Sequence, residues 1–284
     1  MRLFKIAMRF LTVFPVEVKD PTAEDLGRSV AWFPVVGAFL GVMTSFIYFL
    51  LLMGFGAPLA DAGAVLALVI FTGALHLDGL ADTFDGLLGG VSPGERLAIM
   101  RDRHHGTYGV VAIAGVLLLK AAALAALPLP AEHQPFYAAL SEERRAALAG
   151  GLSGGEILLR EKILLIFLMP VLARWGMVLA AGMSSYARSG GGLGREVVER
   201  TGAWAVIAAT VVPAALCVGL LGRVGIALLA VMAFLAFLVS LRIRDRVGGM
   251  TGDTLGAVVE LLEPAVPLAF LAVTGIWRAY VFPY

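Results

Sequence analysis

Three carboxylates close one long apolar run of this sequence. Asp78, Asp82 and Asp85 stand at i, i+4 and i+7 within His76-Leu-Asp-Gly-Leu-Ala-Asp-Thr-Phe-Asp-Gly86. On an α-helix that spacing puts them within roughly 60° of one another, on a stripe about 10 Å long. Like charges on one stripe repel, so a cation is expected among them. Carboxylate oxygens suit a hard divalent ion, and Mg²⁺ is the expected cofactor. Leu77, Leu80, Ala81, Phe84 and Leu87 make the other faces apolar, which argues against a merely solvated helix end. His76 lies some 160–200° round the helix from the acids, and an interhelical hydrogen bond is its expected role.

Three further stretches carry charged or backbone-rich chemistry. Arg96-x-x-x-x-Met-Arg101-Asp-Arg-His-His-Gly-Thr-Tyr-Gly109 combines Arg101 and Arg103 with Asp102 and a glycine turn at Gly106-Thr107. Free N–H groups at a helix start, with arginines nearby, suit a phosphate, and Asp102 is a further candidate metal ligand. Tyr186-Ala-Arg-Ser-Gly-Gly-Gly-Leu-Gly194 puts Arg188 and Arg195 around a loop containing Gly192. Such a loop fits a phosphate cradle or a plain linker. Gly248-Gly-Met-Thr-Gly-Asp253 leads from Thr251 into an apolar segment that carries Glu260 and Glu263. Asp253 and Glu260 share a helix face about 10 Å apart. An acid that deep in a span needs a partner: either a cation shared with Asp78, or Arg174 or Lys120.

The elements that position these residues are membrane helices. Apolar residues make up 60% of the 284, charged residues 15%, and the mean hydropathy is +0.89. Uninterrupted apolar runs of about 20 residues identify a polytopic, all-α bundle. Seven spans are expected, within a range of six to eight: 31–53, 62–84, 107–127, 163–185, 203–221, 224–241 and 255–280. Arg2, Lys5 and Arg9 interleave with apolar residues in a short N-terminal interfacial helix. Gly37-x-x-x-Gly41 predicts a close helix contact. Leu221-Gly-Arg-Val224 predicts a very tight turn between the fifth and sixth spans. The chain reads as one membrane domain, with residues 128–160 an extracytoplasmic loop insertion and Glu142–Ala149 a short surface helix. Lys120 is expected to snorkel towards the far interface.

Charge sets orientation. Segments 1–30, 92–105, 186–200 and 242–246 hold fourteen Lys and Arg, against six on the opposite side. The positive-inside rule therefore puts the N-terminus, and every loop with chemistry, in the cytoplasm. The net charge of +1 and the lack of a basic block give no sign of nucleic acid. The single cysteine, Cys217, excludes a disulfide framework.

At these motifs the chain resembles the cobalamin synthase family, the adenosylcobinamide-GDP ribazoletransferases. The residues are Phe10-Leu-Thr-x-x-Pro15, Phe33-Pro-x-x-Gly37-x-x-x-Gly41, His76-Leu-Asp-Gly-Leu-Ala-Asp-Thr-x-Asp-Gly86, Ile99-Met-x-Asp102-x-x-x-Gly106-Thr-x-Gly109, Gly191-Gly-Leu-Gly194 and Gly249-x-Thr-Gly-Asp-Thr-Leu-Gly-Ala257 with Glu260. The resemblance implies a Mg²⁺-dependent transferase of a bacterial plasma (inner) membrane. It would join GDP-activated adenosylcobinamide to α-ribazole, or its 5′-phosphate, and release GMP. On this reading Asp78, Asp82, Asp85 and Asp253, with Asp102 and Glu260, hold metal. Arg101, Arg103, Arg188 and Arg195, with Gly106, Thr107, Gly192 and Thr251, hold phosphate or nucleotide. Asp82 or Asp85 accepts the hydroxyl proton. A homo-oligomer is compatible with the sequence. Two alternatives share parts of it: a CDP-alcohol-type lipid phosphotransferase, and a cation or proton transporter using the intramembrane acids. The first lacks its expected arginine, because Asp82 follows Asp78-Gly-Leu-Ala.

Overall fold

The structure is a computed structural model that describes residues 1–102, 104, 106–127, 154–189 and 192–275, and among these it is helical with no strand. The expected surface helix at Glu142–Ala149 lies outside the described residues. The amphipathic α1 (Arg2–Leu11) buries Ile6, Met8 and Leu11 and turns Arg2, Lys5 and Arg9 outward. A Thr22 capping box starts α2 (Ala23–Ser29). There Arg2 donates to Asp25 at 2.8 Å, and this bond, with the Thr22 N–H, draws the Asp25 carboxyl down to about 2.

Next come α3 (Phe33–Phe55) and α4 (Ala57–Thr72). The expected single span over 62–84 is corrected. Gly73 (φ 61°) and Ala74 (φ 58°) both take the left-handed conformation, and the Ala74 N–H reaches back to the Val69 carbonyl. That closes the helix end. The chain resumes as α5 (Leu75–Gly89) at 91° to α4. The acidic stripe therefore lies on a limb turned sharply away from α4.

The short α6 (Pro93–Ile99), capped by Ser92, packs on α5 and leads to α7 (Thr107–Ala125). Then come α8 (Gly154–Gly182), α9 (Leu193–Arg200), α10 (Ala203–Val247) and α11 (Gly252–Thr274). Of these, α8 and α11 are buried along most of their length, whereas α7 and α10 expose most of theirs. A straight α10 would run for about 68 Å, over twice a hydrocarbon core of about 30 Å. It breaks instead at Gly222 (φ 56°, ψ −129°), a conformation open to glycine. A Cβ on Gly225 would lie 1.9 Å from the Cys217 carbonyl oxygen, so the two limbs double back in contact, as the expected tight turn requires. Among the described residues five helices are long and apolar enough to cross a membrane, six if α4 and α5 form one bent span. Counting the limbs of α10 separately gives the seven expected.

The Gly37/Gly41 contact is made against α8. A Cβ at Gly41 would stand 2.2 Å from the Phe167 carbonyl oxygen, and one at Gly37 would stand 2.4 Å from that of Pro170. Gly41→Val must therefore prise α3 from the central helix, at a cost of about 1–3 kcal/mol. Thermal unfolding of the purified variant should show a lowered midpoint, and an unchanged midpoint would contradict this packing.

Candidate active site

Helix α5 meets α11 through glycine. A Cβ on Gly79 would lie 2.7 Å from the Asp253 carbonyl oxygen, and Gly256 sits against the His76 backbone. This crossing brings Asp78 of α5 and Asp253 of α11 to one open cavity of about 290 Å³. Arg188 and Gly192 also line it. A second glycine contact sets the rim. A Cβ on Gly194 would come within 2.6 Å of the Gly252 nitrogen, so the N-terminal ends of α9 and α11 lie side by side. Two backbone bonds tie the glycine loop to the turn before α11: Ala187 N–H to the Met250 carbonyl, and Met250 N–H to the Ser185 carbonyl, both 2.9 Å.

Arg188 crosses this rim. Its Nη2 donates to Asp253 Oδ2 at 2.6 Å and to the Met100 carbonyl at 3.4 Å. Its Nε is buried without a hydrogen-bond partner. Two carboxylates, a partly satisfied guanidinium and two helix N-termini thus share one cavity. The carboxylates suit a metal and the rest suits an anion.

The acidic stripe is real, but its members do different things. Asp78 is exposed at the cavity and Asp82 is half-buried one turn on. Asp85 is buried and accepts from the N–H groups of Gly106 (2.7 Å) and Gly109 (2.9 Å). It caps α7, with one N–H on each oxygen. The Gly106 N–H, expected to meet a phosphate, meets this carboxylate instead. Thr107, the first residue of α7, is exposed on a helix end that already holds a carboxylate. Asp85→Ala would orphan two N–H groups, at about 1–3 kcal/mol. Faster amide exchange at Gly106 and Gly109 should follow; unchanged protection would contradict the cap.

Other expected site residues are placed elsewhere. Thr251 is fully buried and its hydroxyl caps α11, bonded with Thr254. Arg195 pairs with Glu199 at 2.9 Å on the exposed side of α9, and that bond raises its pKa. Asp102 meets His104 at 2.8 Å on an exposed turn, beside an exposed Arg101. Arg103 lies outside the described residues. Among the described residues no three His, Cys, Asp or Glu side chains form a ready metal cage.

Glu260 is corrected as a metal ligand. It is buried beneath the cavity, where Lys120 Nζ donates to Glu260 and to Glu263, each at 2.5 Å. Arg174 also pairs with Glu263. All four side chains are 5% exposed or less, so Lys120 does not snorkel. Two cations and two anions neutralise one another, which is how a bilayer interior tolerates them. A second buried pair, Lys162 with Asp61 at 2.8 Å, was not legible, because Lys162 reads as a loop cation. The expected hydrogen bond of His76 is not made: the ring is buried and neither nitrogen has a partner. Met177, Tyr186 and Phe10 complete the cavity wall, and nothing in their spacing marked them.

The model of the family described as CobS, cobalamin-5-phosphate synthase, matches residues 3–271. The chain belongs to the cobalamin-5-phosphate synthase family. The adenosylcobinamide-GDP ribazoletransferase of Desulforamulus reducens is 35% identical over 272 residues, covering 95% of this chain and 96% of the relative. That of Pseudomonas paraeruginosa is 39% identical over 277 residues, covering 93% and 95%. That of Geotalea daltonii is 33% identical, covering 97% and 99%. No solved structure matches. The family model spans every element around the cavity, from α1 to the last turns of α11.

Proposed function

We propose that this chain is an adenosylcobinamide-GDP ribazoletransferase of a bacterial plasma membrane, working at its cytoplasmic face with Mg²⁺. The observation that carries this reading is the convergence of Asp78, Asp253 and Arg188 on one cavity, in a chain of that family. Mg²⁺ is commonly held by one or two protein carboxylates, with substrate phosphate and water completing its shell. Asp78 and Asp253 fit such a site. The bound ion would offset charge on the diphosphate and on the departing GMP.

The remaining chemistry falls to the protein. A ribose hydroxyl oxygen of α-ribazole, or of its 5′-phosphate with the 5′ position left untouched, attacks the phosphorus that bears the cobinamide. The new P–O bond forms as the bond to GMP breaks. Arg188, with its unpartnered Nε, and the backbone at Gly192 and Gly194 orient the phosphate oxygens. Asp82, one turn from Asp78, takes the hydroxyl proton. Arg101 follows the Met100 carbonyl that Arg188 reaches and is not part of the cavity lining.

Purified protein given GDP-cobinamide, α-ribazole and Mg²⁺ should release GMP and form the corrinoid phosphodiester. Failure with both α-ribazole and its 5′-phosphate, or equal GMP release with a diacylglycerol acceptor, would overturn the reading.

A further inference from the structure

His76 is a buried polar group that the mechanism above leaves idle. It forms part of the cavity wall, is 1% exposed, and lacks a hydrogen-bond partner at either ring nitrogen. Burying an imidazole without a partner is unfavourable, and α5 has no local need of one, since Gly79 and Gly256 already make the helix crossing. The groups nearest in charge do not satisfy it. Arg174, Lys120 and Glu263 lie within electrostatic reach, but they are bonded to one another.

The rest of the floor has a different character from the rim. Phe10, Leu75 and Met177 are apolar, and Tyr186 presents a ring. The charged groups, Asp78, Asp253 and Arg188, stand with the helix N-termini. About 290 Å³ lies at the small end of the roughly 300–1,000 Å³ that holds one compact organic ligand. A corrin with its amide arms does not fit there, whereas a flat bicyclic nucleoside does.

Resting on the function proposed above, we propose that this floor takes the acceptor nucleoside. Its benzimidazole lies on Phe10, Leu75 and Met177, and its unsubstituted ring nitrogen accepts a hydrogen bond from His76. The corrinoid and guanosine stay outside, and the ribose points its attacking hydroxyl up to the acidic rim. Attack from below then lies opposite a leaving group above, as in-line displacement requires. His76 is thus a specificity-determining residue: it selects a base with an acceptor nitrogen at that position. A site built around one hydrogen bond rejects the analogue that lacks it, because its own group is left unpaired.

The test is equilibrium binding to the full-length protein in micelles with Mg²⁺ and GDP present. The two probes are α-ribazole and the analogue carrying an indole, in which a C–H replaces the unsubstituted nitrogen. The wild type should bind the indole analogue at least tenfold more weakly. His76→Phe should bind both at the weaker level, with GDP affinity unchanged and no loss of thermal stability. Equal affinity of the wild type for both probes overturns the proposal, and that comparison needs no variant. Discrimination that survives in His76→Phe also overturns it. If a protein that releases GMP binds neither nucleoside, the inference alone fails; with no binding and no turnover, the function beneath it fails too.

Discussion

Asp253→Asn is expected to lower kcat/KM for GMP release about 10³-fold, or about 4 kcal/mol of transition-state stabilisation. Asparagine keeps the size of the side chain and removes its charge. Helix α11 does not depend on that charge, because the Thr251–Thr254 capping box closes its N-terminus independently. The bond from Arg188 at 2.6 Å weakens, but Arg188 also donates to the Met100 carbonyl. The fold should therefore survive, with a thermal midpoint within a few degrees of wild type. Asp78→Asn should behave alike, since Asp78 faces the same cavity from α5. With both residues serving one ion, as proposed, the double variant should lose little more than either single one. Multiplicative losses would show that the two carboxylates work separately.

The largest effect on stability is expected at Lys120→Met. Methionine fills the space but leaves Glu260 without its partner and Glu263 with Arg174 alone. Removing one member of a buried ionic cluster typically costs about 3–5 kcal/mol. Adding Glu260→Gln should recover part of that loss by restoring the charge balance of two surviving partners. Reversible unfolding in mixed micelles would measure both. A neutral Lys120→Met, or a double variant worse than the single, would contradict a closed four-residue cluster. This prediction is independent of catalysis. Glu260 lies seven residues beyond Asp253, about 10 Å deeper along the helix, so the two variants separate support of the bundle from chemistry at its end.

The helices were legible because apolar run length measures bilayer thickness. The Leu221–Val224 turn was legible because two spans meet with no room for a loop. The bend at Gly73–Ala74 was not, since Ala74 adopts a backbone conformation its side chain disfavours and the hydropathy runs on without a break. That bend changes the site. The i, i+4, i+7 spacing puts three acids on one face, yet it cannot say what faces each acid. Asp85 meets the amides of Gly106 and Gly109, and Asp78 lines the cavity with Asp253 of α11. Glycine signals split in the same way. Gly106 reads as a phosphate donor by its place before α7, yet its N–H is taken by a carboxylate 21 residues upstream. Gly79 and Gly194, unremarked in the sequence, are where backbones touch. For Glu260 the spacing left three partners open, a shared cation, Arg174 or Lys120, and packing chose Lys120. His76 was set aside because it faces away from the acids on its own helix; the cavity between helices gives it a second setting.

The most direct test is the binding of GDP by the full-length protein, titrated with Mg²⁺ or Mn²⁺. If Asp78 and Asp253 share an ion with the diphosphate, GDP affinity should rise at least tenfold with the metal in the wild type. That gain should vanish in Asp78→Asn and Asp253→Asn, and persist in Asp85→Asn, whose carboxylate caps α7. Binding of GDP that is indifferent to metal, or a gain that survives in both cavity variants, would contradict the account.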